Sequence, residues 1–223
     1  MAPLPVFIKK GIAGVWFLVG LLLVSCQSRP PIEQGEFRPP DLVELDASIR
    51  LEIRYATTNN FMGRPVYRQA RAFLQRPAAE ALVRANESLK SRGYGLLVFD
   101  GYRPWSVTKA FWDAATPEQR EIGFVADPAK GSKHNRGCAV DLTLFELATG
   151  KEVAMPSTYD EFSDRAFPSY EGGSAESRAS RDLLSSAMEA QGFAVLKEEW
   201  WHFDYRDWKQ YGIQNIPFDR IKR

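Results

Sequence analysis

Gly95-Leu96-Leu97-Val98-Phe99-Asp100-Gly101 is a short apolar run that closes on an acid and a glycine. A run of that length bounded by turn residues reads as a buried strand leading into a turn. On its N-terminal side, Ala78 to Arg92 carries Ala81, Leu82, Ala85 and Leu89 at helical spacing, with Gly93 as the stop. On its C-terminal side, Trp105 to Ala115 reads as a second helix. Farther out, Cys138 to Leu144 and Trp200 to Tyr205 read as strands. Ser174 caps a helix through Gln191, in which Leu183, Leu184, Ala187 and Met188 recur at helical spacing before Gly192. The alternation in Leu42 to Tyr55 suggests one more strand, with Leu51, Ile53 and Tyr55 on one face. The mixture predicts an α+β fold, a single compact domain with a mainly antiparallel sheet and flanking helices.

A chain of 223 residues, 44% hydrophobic and 26% charged, can bury one substantial core and lacks the charge excess of a disordered chain. Its 29 lysines and arginines against 28 acids leave a formal charge of +1, which gives no reason to expect nucleic acid as a partner. The substrate has to be read from a site.

The N-terminus reads as a signal rather than as part of the fold. Lys9 and Lys10 precede an apolar stretch from Gly11 to Val24 that ends in Leu23-Val24-Ser25-Cys26. The stretch is short for a membrane span of roughly 20 residues, the competing interpretation. Its end resembles a bacterial lipobox, so residues 1–25 are expected to be removed and Cys26 lipidated. That predicts anchoring to a membrane surface without spanning it. Gln27 resembles the sorting pattern of outer-membrane lipoproteins, which points to the periplasmic face of that membrane. Residues 26–40, with Pro30, Pro31, Pro39 and Pro40, read as an extended tether to a domain at 41–223. Lipidation of Cys26 leaves Cys138 without an intramolecular disulfide partner.

The chain has two histidines, each in a compact polar motif. The first is Ser132-Lys133-His134-Asn135-Arg136-Gly137-Cys138-Ala139-Val140-Asp141, where a glycine permits a turn that lets His134 and Asp141 converge. The second is Glu199-Trp200-Trp201-His202-Phe203. Two imidazoles and one carboxylate form a three-ligand set for zinc that leaves a fourth position for water, and Glu199 is then the candidate base. The plainer alternative is two unrelated polar histidines beside core tryptophans. Cys138 is a competing soft ligand, but strand alternation turns it away from Asp141, so it reads as a small buried residue. In Asp100-Gly101-Tyr102-Arg103-Pro104, the guanidinium of Arg103 is either a surface partner of Asp100 or a stabiliser of a developing oxyanion.

These motifs, with Arg54-Tyr55-Ala56-Thr57-Thr58-Asn59-Asn60-Phe61-Met62-Gly63 and Gly93-Tyr94-Gly95-Leu96-Leu97, resemble the zinc D-alanyl-D-alanine dipeptidases of the vancomycin-resistance type. The resemblance spans most of the domain and implies a zinc D,D-peptidase fold. It implies one Zn2+ per chain on His134, Asp141 and His202, with Glu199 as general base and Arg103 steadying the tetrahedral intermediate. It further implies that Asp160 binds the ammonium of a small D-amino-acid dipeptide, with Ser132 and Tyr55 lining the same cavity. Pro156 stands where the family usually has glycine, and Phe167 where histidine is common; both flank the implied ammonium site. An exported location also departs from the cytoplasmic resistance enzyme and suits turnover of peptidoglycan fragments. The expected function is therefore a metallopeptidase hydrolysing D-Ala-D-Ala. A D,D-carboxypeptidase or other peptidoglycan peptidase, and a non-catalytic zinc-containing peptidoglycan-binding lipoprotein, stand as the alternatives.

Overall fold

Residues 1–2, 31–33 and 37–221 are described by a computed structural model of the chain. The body of the expected signal and lipid-acceptor Cys26 lie outside the described residues. In chain order the elements are helix α1 (Leu42–Leu45), strand β1 (Arg50–Leu51), helix α2 (Arg76–Lys90), strand β2 (Tyr94–Asp100), helices α3 (Trp105–Ala114) and α4 (Pro117–Ile122), strand β3 (Ala139–Glu146), helix α5 (Ala175–Glu189), and strands β4 (Phe193–Leu196) and β5 (Glu199–Tyr205). The strands form one sheet in the order β1-β2-β3-β5-β4. Only β1 and β2 pair in parallel, so the sheet is mainly antiparallel.

Alternation along β3 divides the molecule into two sides. Val140, Leu142 and Leu144 join Leu96, Val98 and Phe203 in the main core, with the apolar faces of α2 and α5. Leu97, Phe99 and Phe145 form a smaller cluster on the other side, against Tyr159. Asp141 shares that second side, which leaves it beside the site rather than under the helices. The stripe Ala78, Ala79, Ala81, Leu82 and Ala85 is fully buried, and its small side chains let α2 lie close on the sheet.

The expected strand over Leu42 to Tyr55 is corrected by the structure. Only Arg50–Leu51 pairs, because side-chain acceptors bend the chain on both sides of it. Asp41 caps α1 through the Val43 amide, and Asp46 accepts from both the amide and hydroxyl of Ser48. Arg54–Ala56 then closes a 3₁₀ turn. Ile49, Ile53 and Tyr55 are buried all the same, so their spacing reported burial and not ladder pairing. Ahead of Asp41, Phe37 packs against Tyr102 with ring centres 4.4 Å apart, and the Glu33 amide donates to the Ile213 carbonyl at 2.9 Å. Among the described residues no helix is long and apolar enough to cross a membrane.

Asn86 joins three elements from a fully buried position on α2. Its carbonyl accepts from the Leu96 amide of β2, and its amide donates to Asp46 and Ser48. Asn86→Ala would leave the Leu96 N–H buried without a partner. Urea unfolding is expected to show a loss of about 2–3 kcal/mol, where an ordinary surface truncation costs under about 0.5 kcal/mol.

Candidate metal centre

Two adjacent strands and one turn bring the polar motifs together. In the β3–β5 ladder Asp141 stands directly opposite His202. His134 arrives from a 3₁₀ turn, His134–Arg136, which Gly137 ends in a left-handed conformation (φ 68°) open to glycine at little cost. That turn is laced to the Asp100–Arg103 turn: the Arg103 amide donates to the His134 carbonyl, and the Asn135 side chain donates to the Arg103 carbonyl and to Thr108. Asn135 also accepts from the Ser132 amide at 2.8 Å.

His134 Nε2, His202 Nδ1 and Asp141 Oδ1 form a nearly equilateral triangle with sides of 3.1, 3.1 and 3.2 Å. Each of these atoms is left over from another bond. His134 Nδ1 lies 2.7 Å from the Gly101 carbonyl and must donate to it, so its Nε2 is bare. His202 Nε2 lies 3.0 Å from Asp204 Oδ1, which leaves its Nδ1 turned toward the triangle. Asp141 Oδ2 accepts from Tyr159 and, at 3.4 Å, from Arg103, while Oδ1 is one of three buried side-chain polar atoms without a hydrogen bond among the described residues. Three ligand atoms facing one another at this distance suit a shared cation, either a proton or a metal ion. A tetrahedral ion with bonds of about 2.0 Å spaces its ligands by about 3.3 Å, close to the triangle found. The donor set therefore fits a metal ion, and the partners behind it are of the kind that orient metal ligands.

The electrostatics of the triangle favour positive charge. Burial would raise the Asp141 carboxyl, but the two imidazoles hold it far below the usual carboxylate range. Burial would lower His202, yet Asp204 and Asp141 outweigh it and push its pKa up to about 10. A proton and a metal ion compete for the same nitrogen.

Glu199 is buried, with Oε2 3.7 Å from His202 Nδ1. Loss of solvation pushes its pKa up to about 8, against the pull of His202. Arg103 lines the same cavity, anchored by Asp100 at 2.8–2.9 Å and resting over Phe111 and Tyr55. Its guanidinium is buried in the cavity wall, so it is not an exposed partner of Asp100. Tyr55 donates to Asp160 Oδ1 at 3.0 Å and the Phe61 amide donates to Oδ2 at 3.2 Å, which holds Asp160 in a left-handed conformation (φ 60°) uncommon for any residue but glycine. Burial pushes its carboxyl up to about 7. Ser132 also lines the cavity and accepts from the His134 amide. Pro156 sets its carbonyl on the Arg165 guanidinium, and Phe167 lies 6.2 Å from Phe124 in the aromatic wall. Cys138 is buried among core residues, away from the triangle.

The cavity measures about 290 Å³, at the lower edge of the roughly 300–1,000 Å³ usual for small-ligand sites. Phe61, Phe111, Phe124, Phe162 and Trp201 supply its apolar wall. Three polar partners escaped the sequence reading: Asp204, Tyr159 and Asn135. Asp204 was accessible in principle, since it sits two residues beyond His202 on a strand and so shares its face.

Residues 36–219 match the peptidase family M15 model described as D-ala-D-ala dipeptidase. A D-alanyl-D-alanine dipeptidase from Enterococcus faecium is 37% identical over 185 residues, covering 74% of this chain and 90% of that protein. One from Escherichia coli (strain K12) is 32% identical over 164 residues, covering 74% and 82%. A solved structure of the LD-carboxypeptidase LdcB, 21% identical, covers 62% of this chain and 61% of its own with a TM-score of 0.41, too slight a likeness to bear weight.

Asp204→Ala removes the acceptor that fixes His202. The expected result is a 10–100-fold weaker affinity for zinc, measured by competition with a chelating dye, while far-ultraviolet circular dichroism stays unchanged.

Proposed function

Because the chain belongs to the D-ala-D-ala dipeptidase family of peptidases, we propose that it is a zinc-dependent hydrolase splitting D-alanyl-D-alanine into two D-alanines. The observation that carries this reading is a buried carboxylate, Glu199, set 3.7 Å from the His202 nitrogen of a three-ligand triangle inside a small cavity. Metal binding alone does not need Glu199. A binding protein without turnover would have no use for a buried acid there.

His134, Asp141 and His202 would hold one zinc ion. Zinc held there would supply a Lewis acid able to polarise a peptide carbonyl and to make water acidic enough to lose a proton near neutral pH. Glu199 takes that proton and passes it to the amine as the C–N bond breaks, so the base is restored for the next cycle. Its raised pKa suits a group that must both accept and return a proton near neutrality. The Arg103 guanidinium, already charged and fixed by Asp100, stands ready for the negative charge that gathers on the carbonyl oxygen. Asp160 takes the substrate's ammonium, with Tyr55 and the Phe61 amide orienting the carboxylate and Ser132 lining the cavity.

The ammonium site favours a dipeptide over a longer stem peptide. In a pentapeptide substrate the nitrogen at this position belongs to an amide, which cannot neutralise a half-buried carboxylate. The aromatic wall and the small volume act in the same direction.

The sequence of residues 1–40 supports a further part of this reading: export as a lipoprotein anchored through Cys26 at the periplasmic face of the outer membrane. An enzyme in that compartment would consume dipeptides released from peptidoglycan.

Purified protein loaded with zinc is expected to release D-alanine from D-Ala-D-Ala. Glu199→Ala should lower kcat by about 10²–10⁴ while zinc content stays at one ion per chain. Release undiminished in that variant, or cleavage of a pentapeptide as fast as of the dipeptide, would contradict the assignment. Asp160 must be ionised and the substrate's amine protonated for the pair to form, so kcat/KM should decline above the amine's pKa of about 8 and show an acid limb as pH drops through about 7. In Asp160→Asn, KM for the dipeptide should rise and that limb should flatten.

A further inference from the structure

The segment that leads back to the expected lipid anchor meets the domain at the mouth of the cavity. Glu33 donates its amide to the Ile213 carbonyl, and its own carbonyl accepts from Gln214 at 3.4 Å. Its carboxylate lies 3.3 Å from Arg136, and Arg136 is part of the cavity lining. Trp208 stands at the same rim, with Lys133, Arg136 and Lys209 over its ring at 5.4–5.7 Å. Lys133 is matched by Asp204 and Arg136 by Glu33. Lys209 is exposed, and Lys130, another lining residue, is 85% exposed with Asp127 only at 3.9 Å. The mouth thus offers a tryptophan and two outward-facing lysines.

From Cys26 to Glu33, the residue bonded at the rim, there are seven residue steps, which span at most about 25 Å when fully extended. Pro30 and Pro31, which fall among them, are residues that favour an extended chain. A lipid on Cys26 would hold the rim within that reach of the headgroups. Helix α2 and its exposed Glu87 lie across the sheet from Asp141, on the side turned away.

We propose that the mouth of the cavity faces the membrane to which the protein is tethered, with Trp208, Lys130 and Lys209 against anionic phospholipid headgroups. The proposal rests on the lipoprotein reading given above. Tryptophan suits the boundary between lipid and water, and lysines near an anionic surface are drawn to it. The site would then draw its dipeptides from the thin layer next to the lipid. Raised ionic strength would loosen the orientation without releasing the anchor.

The test uses full-length, lipid-processed protein reconstituted in vesicles of phosphatidylethanolamine and phosphatidylglycerol carrying a headgroup-attached quencher. A fluorophore is placed on Lys130→Cys in one sample and on Glu87→Cys in another; Cys138 is buried and does not compete for label. Quenching is expected to be several-fold stronger at position 130. A flexible insertion of about 20 residues after Ser28 should bring the two labels closer to equal. Equal quenching with the native leash, or stronger quenching at position 87, overturns the orientation. Mass spectrometry of Cys26 separates the two readings. Protein without lipid sinks the lipoprotein reading and the orientation with it, whereas lipidated protein with unbiased quenching sinks the orientation alone.

Discussion

Three ligand atoms pointed at one another within 3.2 Å are the constraint around which the rest of the molecule is arranged. They stay together only where positive charge is shared among them. It persists because every other polar atom on the three side chains is committed elsewhere: His134 to a backbone carbonyl, His202 to Asp204, and Asp141 to Tyr159 and Arg103. The cost of holding the triangle is spread over the turn at Gly101, the β3–β5 ladder and the Tyr159 loop. A divalent cation would take the place of the shared proton on this prearranged set.

The same cluster explains why charges of both signs crowd one small cavity and its walls. Asp100, Asp141, Asp160 and Glu199 face Arg103 and two histidines. Burial pushes Asp160 and Glu199 upward, whereas Asp141 is forced down by its imidazole neighbours. Carboxyls of one kind are thus sorted by surroundings into an always-charged member and two that change state near neutrality, a separation suited to binding a metal and moving a proton in one small space.

Legibility from sequence followed how local the information is. His134, Asp141, Glu199 and His202 could be named because their motifs are short and their side chains have few other uses, and the long elements could be named because Leu82, Leu89 and Leu184 repeat over several turns. The stretch from Leu42 to Tyr55 misled because its apolar spacing reflects burial under the core, while Asp41 and Asp46 decide the backbone path through hydrogen bonds that no periodicity reveals. Tyr159 was out of reach for another reason. It touches Asp141 from a loop whose course depends on packing against Phe99. Arg103 lay between these cases, since its motif was plain but its burial against Tyr55 and Phe111 was not.

The pairing of Asp141 with His202 across β3 and β5 also ties the ligand set to one strand register. Slipping that ladder by one residue would place Val140 or Leu142 opposite His202 and turn the carboxylate into the helix-covered core. No misregistered conformer could then assemble the triangle. A metal ion would then bind the native alignment and not the slipped ones, so its binding free energy would add to the stability of this one register.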